Sequence, residues 1–148
     1  MDSVLRSAVA GDVEKVAELR AVVMRPDLER LGRYDEQRVR QRLRDTFSPQ
    51  YSSIIEVGGS FAGSVTVRPV DDGLLLEHFY LAPPFQGRGL GSSLLRDLLE
   101  RIDADGLPVR LNVLQGSAAR RLYERHDFVV ESEDAIDVFM VRLPRSTS

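Results

Sequence analysis

The chain has 148 residues, of which 43% are hydrophobic and 29% charged, so it holds enough apolar material for one domain with a real core beneath a soluble surface. Cysteine is absent, which excludes disulfides, thiolate metal sites and a cysteine nucleophile; two histidines, His78 and His126, give no expectation of a metal site. A net charge of −3 and a pI near 5.4 argue against a nucleic-acid partner, and no apolar run approaches the ~20 residues that cross a bilayer. With no basic, apolar leader after Met1, the expectation is a cytoplasmic protein without a membrane partner.

In chain order, Ser3 to Ala8 reads as a first strand. Asp12 reads as the cap of a helix in which Val13, Val16, Ala17, Leu19 and Arg20 keep helical spacing to about Val23, with Pro26 at or just past its end. Leu28 to Tyr34 follows as a charged linker. Asp35 to Phe47 reads as a second helix, capped by Asp35 and stopped before Pro49, whose Arg38, Arg40, Arg42 and Arg44 form a solvated face. The period then changes to two. Ser52 to Val57, Phe61 to Val67 and Leu74 to Leu81 read as antiparallel strands joined by turns at Gly58-Gly59 and Asp71-Asp72-Gly73. Leu90, Leu94, Leu95, Leu98, Leu99 and Ile102 share one face of a third helix. Val109 to Val113 is a strand, Ser117 caps a short helix to about Arg125, and Phe128 to Val130 with Ile136 to Leu143 form a closing pair of strands. The expected architecture is a single mixed α/β domain over residues 1–148, with 144–148 a frayed tail.

Between the third of the antiparallel strands and the third helix stands Gln86-Gly87-Arg88-Gly89-Leu90-Gly91. A glycine-rich turn that opens a helix presents backbone N–H groups at the positive end of the dipole, a place for a phosphate or pyrophosphate. A nucleoside-triphosphate loop would need Gly-Lys-Ser/Thr at its end, and no lysine follows here. A dinucleotide fold would need the loop after the first strand of a βαβ unit and an acid closing a later strand; Val109 to Val113 ends without one.

The pattern Gln-x-x-Gly-x-Gly after a strand resembles the acetyl-CoA loop of the GCN5-related N-acetyltransferases. Its neighbours strengthen the likeness. Leu76-Glu77-His78-Phe79-Tyr80-Leu81-Ala82-Pro83 is similar to the family's fourth strand and its exit. Leu111-Asn112-Val113-Leu114 and Ala118-Ala119-Arg120-Arg121-Leu122-Tyr123-Glu124-Arg125-His126-Asp127-Phe128 are similar to its fifth strand and the segment after it. Two positions depart. Ser117 stands where the family usually has Asn, and Asp127 where it usually has Gly, at a site that often needs a positive φ.

The resemblance implies the family's fold: a central, mostly antiparallel twisted sheet of about seven strands flanked by about four helices. It implies direct transfer of acetyl from acetyl-CoA to a primary amine of a small molecule or peptide, without a metal. Pantetheine would pair with the backbone of Phe79, Tyr80 and Leu81, and the pyrophosphate would rest on amides of Gln86, Gly87, Arg88, Gly89, Leu90, Gly91 and Ser92, with Ser117 nearby. Arg88 adds charge to the phosphates or is simply solvated.

Tyr123 is the implied acid that protonates the leaving sulfur; otherwise it is an aromatic packed on Leu122 and Phe128. Glu77 is the candidate base, directly or through water, on the face of Phe79 and Leu81 by the period of two, with His78 opposite; otherwise it is a glutamate paired with an arginine. Met24, Leu28, Tyr34 and Phe47 are placed to wall the acceptor, or the apolar members are simply core; Asn112 is placed to orient water or substrate, or is a plain strand-face amide. The alternative is a catalytically weak acyl-CoA-binding regulatory module of the same fold. A homodimer is left open by the resemblance alone.

Overall fold

In the computed structural model, which describes residues 2–145, the sheet has seven strands in the order β1-β2-β3-β4-β5-β7-β6. They are β1 Ser3–Ser7, β2 Ser52–Val57, β3 Ser60–Val70, β4 Gly73–Leu81, β5 Val109–Leu114, β6 Val129–Glu133 and β7 Asp137–Arg142. The helices are α1 Val13–Arg30, α2 Glu36–Thr46, α3 Leu90–Ala104 and α4 Ala119–Arg125. Every pairing is antiparallel except β4 with β5, which is parallel. Among the described residues no helix is long and apolar enough to cross a membrane.

Two apolar clusters flank the sheet. Leu95, Leu99 and Ile102 of α3 and Tyr123 of α4 pack with Leu76, Leu111, Val113 and Met140 on one side. Val16 and Ala17 of α1 and Leu43 of α2 pack with Ile54 on the other, and Tyr80 leans on that second cluster. Because strand side chains alternate, Leu74, Leu76, Leu111 and Val113 face α3 and α4, while Leu75, Glu77, Arg110 and Asn112 face α1 and α2.

Several expectations shift. Asp12 does not cap α1: its carboxylate accepts the Val9 N–H at 2.8 Å and a bidentate pair from Arg6 at 2.8 and 2.9 Å. Those bonds hold its pKa down to about 2. Pro26 does not end α1, which runs on to Arg30 and takes Leu28 out of the expected linker. Proline removes only the hydrogen bond to the Val22 carbonyl, and Val22 lies on the exposed side, where water can replace it. Asp35 caps α2 as expected, accepting from the Gln37 and Arg38 amides. The α2 arginines are not all free: Arg40 pairs with Glu18 and Arg44 with Glu14, both across to α1. Of the expected tail, Ser146–Ser148 lie outside the described residues, while the Arg145 N–H donates to Asp103 at 3.3 Å.

Candidate active site

β4 and β5 pair only at Leu74–Val109 and Leu75–Arg110. Beyond that point β5 stays with β7 as far as Leu114–Asp137, and β4 leaves it. The cause lies in β4. Its register against β3 runs from Thr66–Glu77 to Ser64–Tyr80, so Val65 faces two residues, His78 and Phe79. This is a β-bulge, and His78 takes φ +49 to make it. The bulge brings β4 close to β3: a Cβ on Gly63 would stand 2.0 Å from the Tyr80 carbonyl oxygen. The resulting gap opens a cavity of about 830 Å³ walled by β4, β5, α1 and α4.

The bulge also breaks the period of two on which the face of Glu77 was expected. Glu77 does not share the face of Phe79 and Leu81. Its carboxylate lies 3.9 Å from the His78 ring, and the other ring nitrogen of His78 is 3.2 Å from the Tyr80 hydroxyl, so all three face α1 and α2. Phe79 packs on the α3/α4 cluster, and Leu81 sits beside Gly91 at the start of α3. Glu77 accepts from Arg68 Nε at 2.5 Å. His78 is buried with both ring nitrogens partnered, the second by Thr46 at 3.1 Å. Burial, together with Arg20, Arg42 and Arg68, pushes its pKa down to about 4, so it is neutral near pH 7.

Tyr123 lines the cavity from α4. Its ring is buried edge-on against Phe128, with centroids 5.6 Å apart. A Schellman turn fixes it: the Phe128 N–H donates to the Tyr123 carbonyl and the Asp127 N–H to that of Glu124, with Asp127 at φ +72. The Tyr123 hydroxyl makes no hydrogen bond among the described residues, yet no buried polar side-chain atom there lacks a partner. The hydroxyl is therefore not sealed in the core but opens to the cavity. Burial raises its pKa, so it stays a proton donor.

The glycine turn lies outside the cavity, past the end of β4. Gln86 to Gly89 are exposed, and Gly87 and Gly89 have φ of +72 and +78 with open space where a Cβ would be. The amides of Leu90, Gly91 and Ser92 are the first of α3 and have no partner within the helix. Gln86 turns its side chain back to donate to the Leu81 carbonyl at 2.8 Å, and the Ser92 hydroxyl is hydrogen-bonded with His126 Nε2 at 2.9 Å. What the turn offers a ligand is therefore backbone N–H, with Arg88 exposed beside it.

Phe79, Tyr80, Asn112, Ser117, Met24 and Leu28 line the cavity with Glu77 and Tyr123. The Ser117 hydroxyl accepts the Ala119 N–H at 3.2 Å. Tyr34 and Phe47 are not brought there: Tyr34 carries the Arg25 guanidinium over its ring, and Phe47 packs beside Ala8 and Val16. Arg20, Arg42, Thr46 and Arg68 are in the wall and were not singled out from sequence. Arg20 was legible in principle, since it continues the buried stripe of Val13, Val16 and Ala17 at helical spacing.

Solved structures share this architecture. An N-acetyltransferase (PaiA) from Thermoplasma acidophilum, in complex with coenzyme A, superposes with a TM-score of 0.77 at 19% identity, over 97% of this chain and 99% of that one. The ribosomal-protein-S18-alanine N-acetyltransferase of Escherichia coli gives 0.74 at 18% identity, over 99% and 97%. The N-acetylglutamate synthase of Neisseria gonorrhoeae, with coenzyme A and N-acetyl-glutamate, gives 0.67 at 18% identity, over 99% of this chain and 36% of that one. No curated protein sequence matches. The sequence pattern of the Acetyltransferase (GNAT) family matches residues 16–128, and with the split sheet and its glycine turn this chain belongs to that family.

Proposed function

We propose that the protein transfers the acetyl group of acetyl-CoA directly to a primary amine. The observation that carries this is the unpartnered Tyr123 hydroxyl at the gap between β4 and β5. The free amides after Gln86 and the glycines at positive φ fit a pyrophosphate, and the stretch of β4 from Phe79 to Leu81, paired with β3 but not with β5, fits a pantetheine arm. Acetyl-CoA, when bound, supplies an activated thioester.

The residues then divide the work. Glu77, oriented by Arg68, takes a proton from the incoming ammonium, directly or through water. A backbone N–H of β4 near Leu81 polarises the carbonyl. Tyr123 gives its proton to the departing sulfur and regains one from the acylated nitrogen, which sheds its second proton as the C–S bond breaks; a phenol with a raised pKa holds its proton until a thiolate develops. Without cysteine the chain has no thiol for an acyl-enzyme. Ser117 and Asp127 leave this arrangement intact, because Ser117 still binds an α4 amide and Asp127 adopts the positive φ.

The test is release of thiol from acetyl-CoA across a panel of primary amines. Turnover with at least one amine is expected, and Tyr123→Phe should lower kcat about 100-fold with little change in KM. Binding of acetyl-CoA with no thiol release from any amine would leave a regulatory module instead.

A further inference from the structure

The cavity wall beneath α1 and α2 holds positive charge that acetyl transfer itself does not use. Arg20 is 7% exposed. Its Nε donates to the Tyr80 hydroxyl at 3.1 Å and its Nη1 to the Val39 carbonyl at 2.5 Å. No carboxylate lies within ion-pair distance among the described residues. Its Nη2 makes no hydrogen bond there, and since no buried polar side-chain atom lacks a partner, that nitrogen opens to the cavity which Arg20 lines. A guanidinium taken from water without a counter-charge is unfavourable unless something else supplies one.

Other charges around the cavity are already matched. Arg68 holds Glu77, Arg110 holds Glu131 at 3.0 Å and Asp72 at 3.5 Å, and Asp27 holds Arg30 at 2.8 Å. Asp137 remains on β7, on the far side of β5 from β4. Arg42 of α2 lines the same cavity as Arg20 and likewise has no carboxylate partner among the described residues. Two arginines are thus left over on one wall.

We infer that the acceptor amine also carries a carboxylate, which Arg20 and Arg42 bind while the amine points into the gap between β4 and β5. Guanidinium matches a carboxylate in shape and charge, and the same pair would reject a second ammonium. The word acceptor rests on the acetyl-transfer reading; the anion site does not.

Two readouts keep those claims separate. In the first, NMR titration of the full chain without acetyl-CoA compares β-alanine and glutamate with their amides and with 1,4-diaminobutane. The acids should bind tenfold or more tightly and shift the Arg20 and Arg42 side-chain signals. In the second, thiol release is followed with the same amines and with short peptides bearing Glu or Gln after the N-terminus, which separates a free amino acid from a peptide as the source. The acids should show kcat/KM at least tenfold above their amides. Arg42→Gln, at an exposed position, should raise KM about tenfold for acids only, and Arg20→Lys should weaken acids while keeping the charge. Amides or the diamine bound and turned over as well as acids, or Arg42→Gln without effect on acids, would overturn the inference. Acid binding without use of acetyl-CoA would refute acetyl transfer and keep the anion site.

Discussion

Single residues set the geometry through conformations that side chains rarely adopt. Asp127 holds the left-handed position that lets Tyr123 and Phe128 close the Schellman turn. Glycine reaches that φ without steric cost, so Asp127→Gly should raise stability by about 0.5–1 kcal/mol, read by urea unfolding, even though the surface pair with Arg145 is lost. His78 makes a second claim. Its pKa is near 4 in the folded chain against an ordinary 6.5, so between those values the unfolded chain binds the extra proton. The contribution is complete above pH 6.5 and is lost as pH falls to 4, up to about 3 kcal/mol for this buried ring. Unfolding at pH 7 and pH 4.5 should show a drop that is much smaller in His78→Asn, a residue that tolerates positive φ.

At the scale of elements, the cavity follows from one bulge and one long helix. The bulge in β4 turns the strand from β5 and is accommodated by the bare Gly63, which pairs with Leu81 and lies against the Tyr80 carbonyl. Gly63→Ala would drive a methyl into that carbonyl, and a loss of about 3 kcal/mol or more is expected by chemical denaturation. α1 matters through the part that continues past Pro26. That last turn brings Leu28 to the cavity and carries Arg30, which donates to the Gln115 carbonyl at 2.7 Å across the end of β5. The strands and the third helix were legible in sequence because periods of two and 3.6 report burial directly. The bulge was not, since a histidine in a strand does not announce φ +49, and so the face of Glu77 was misread. Nor was the extent of α1, because a proline stops a helix only where the freed carbonyl cannot find water.

For the whole molecule, one buried ion pair ties the far side of the sheet to α3. Arg142 of β7 meets Asp103 at 2.7 and 2.9 Å and also donates to the His126 carbonyl at 3.0 Å, beside the turn that sets Tyr123. Asp103→Ala would leave Arg142 buried without its partner and should cost about 3 kcal/mol or more in thermal or chemical unfolding. The site divides in the same way as the fold. The glycine turn and the place of Tyr123 on a short helix after β5 were readable, because each lies within one continuous stretch of sequence. The arginine-lined cavity wall was not, because Arg20, Arg42 and Arg68 come from α1, α2 and β3 and meet only when the sheet forms.

The central claim is that the gap and the glycine turn hold acetyl-CoA. Melting of the full chain with acetyl-CoA at about 100 times its Kd should add about 2.7 kcal/mol, a Tm rise of roughly 5–10 °C at this size. No rise at millimolar acetyl-CoA would contradict the account.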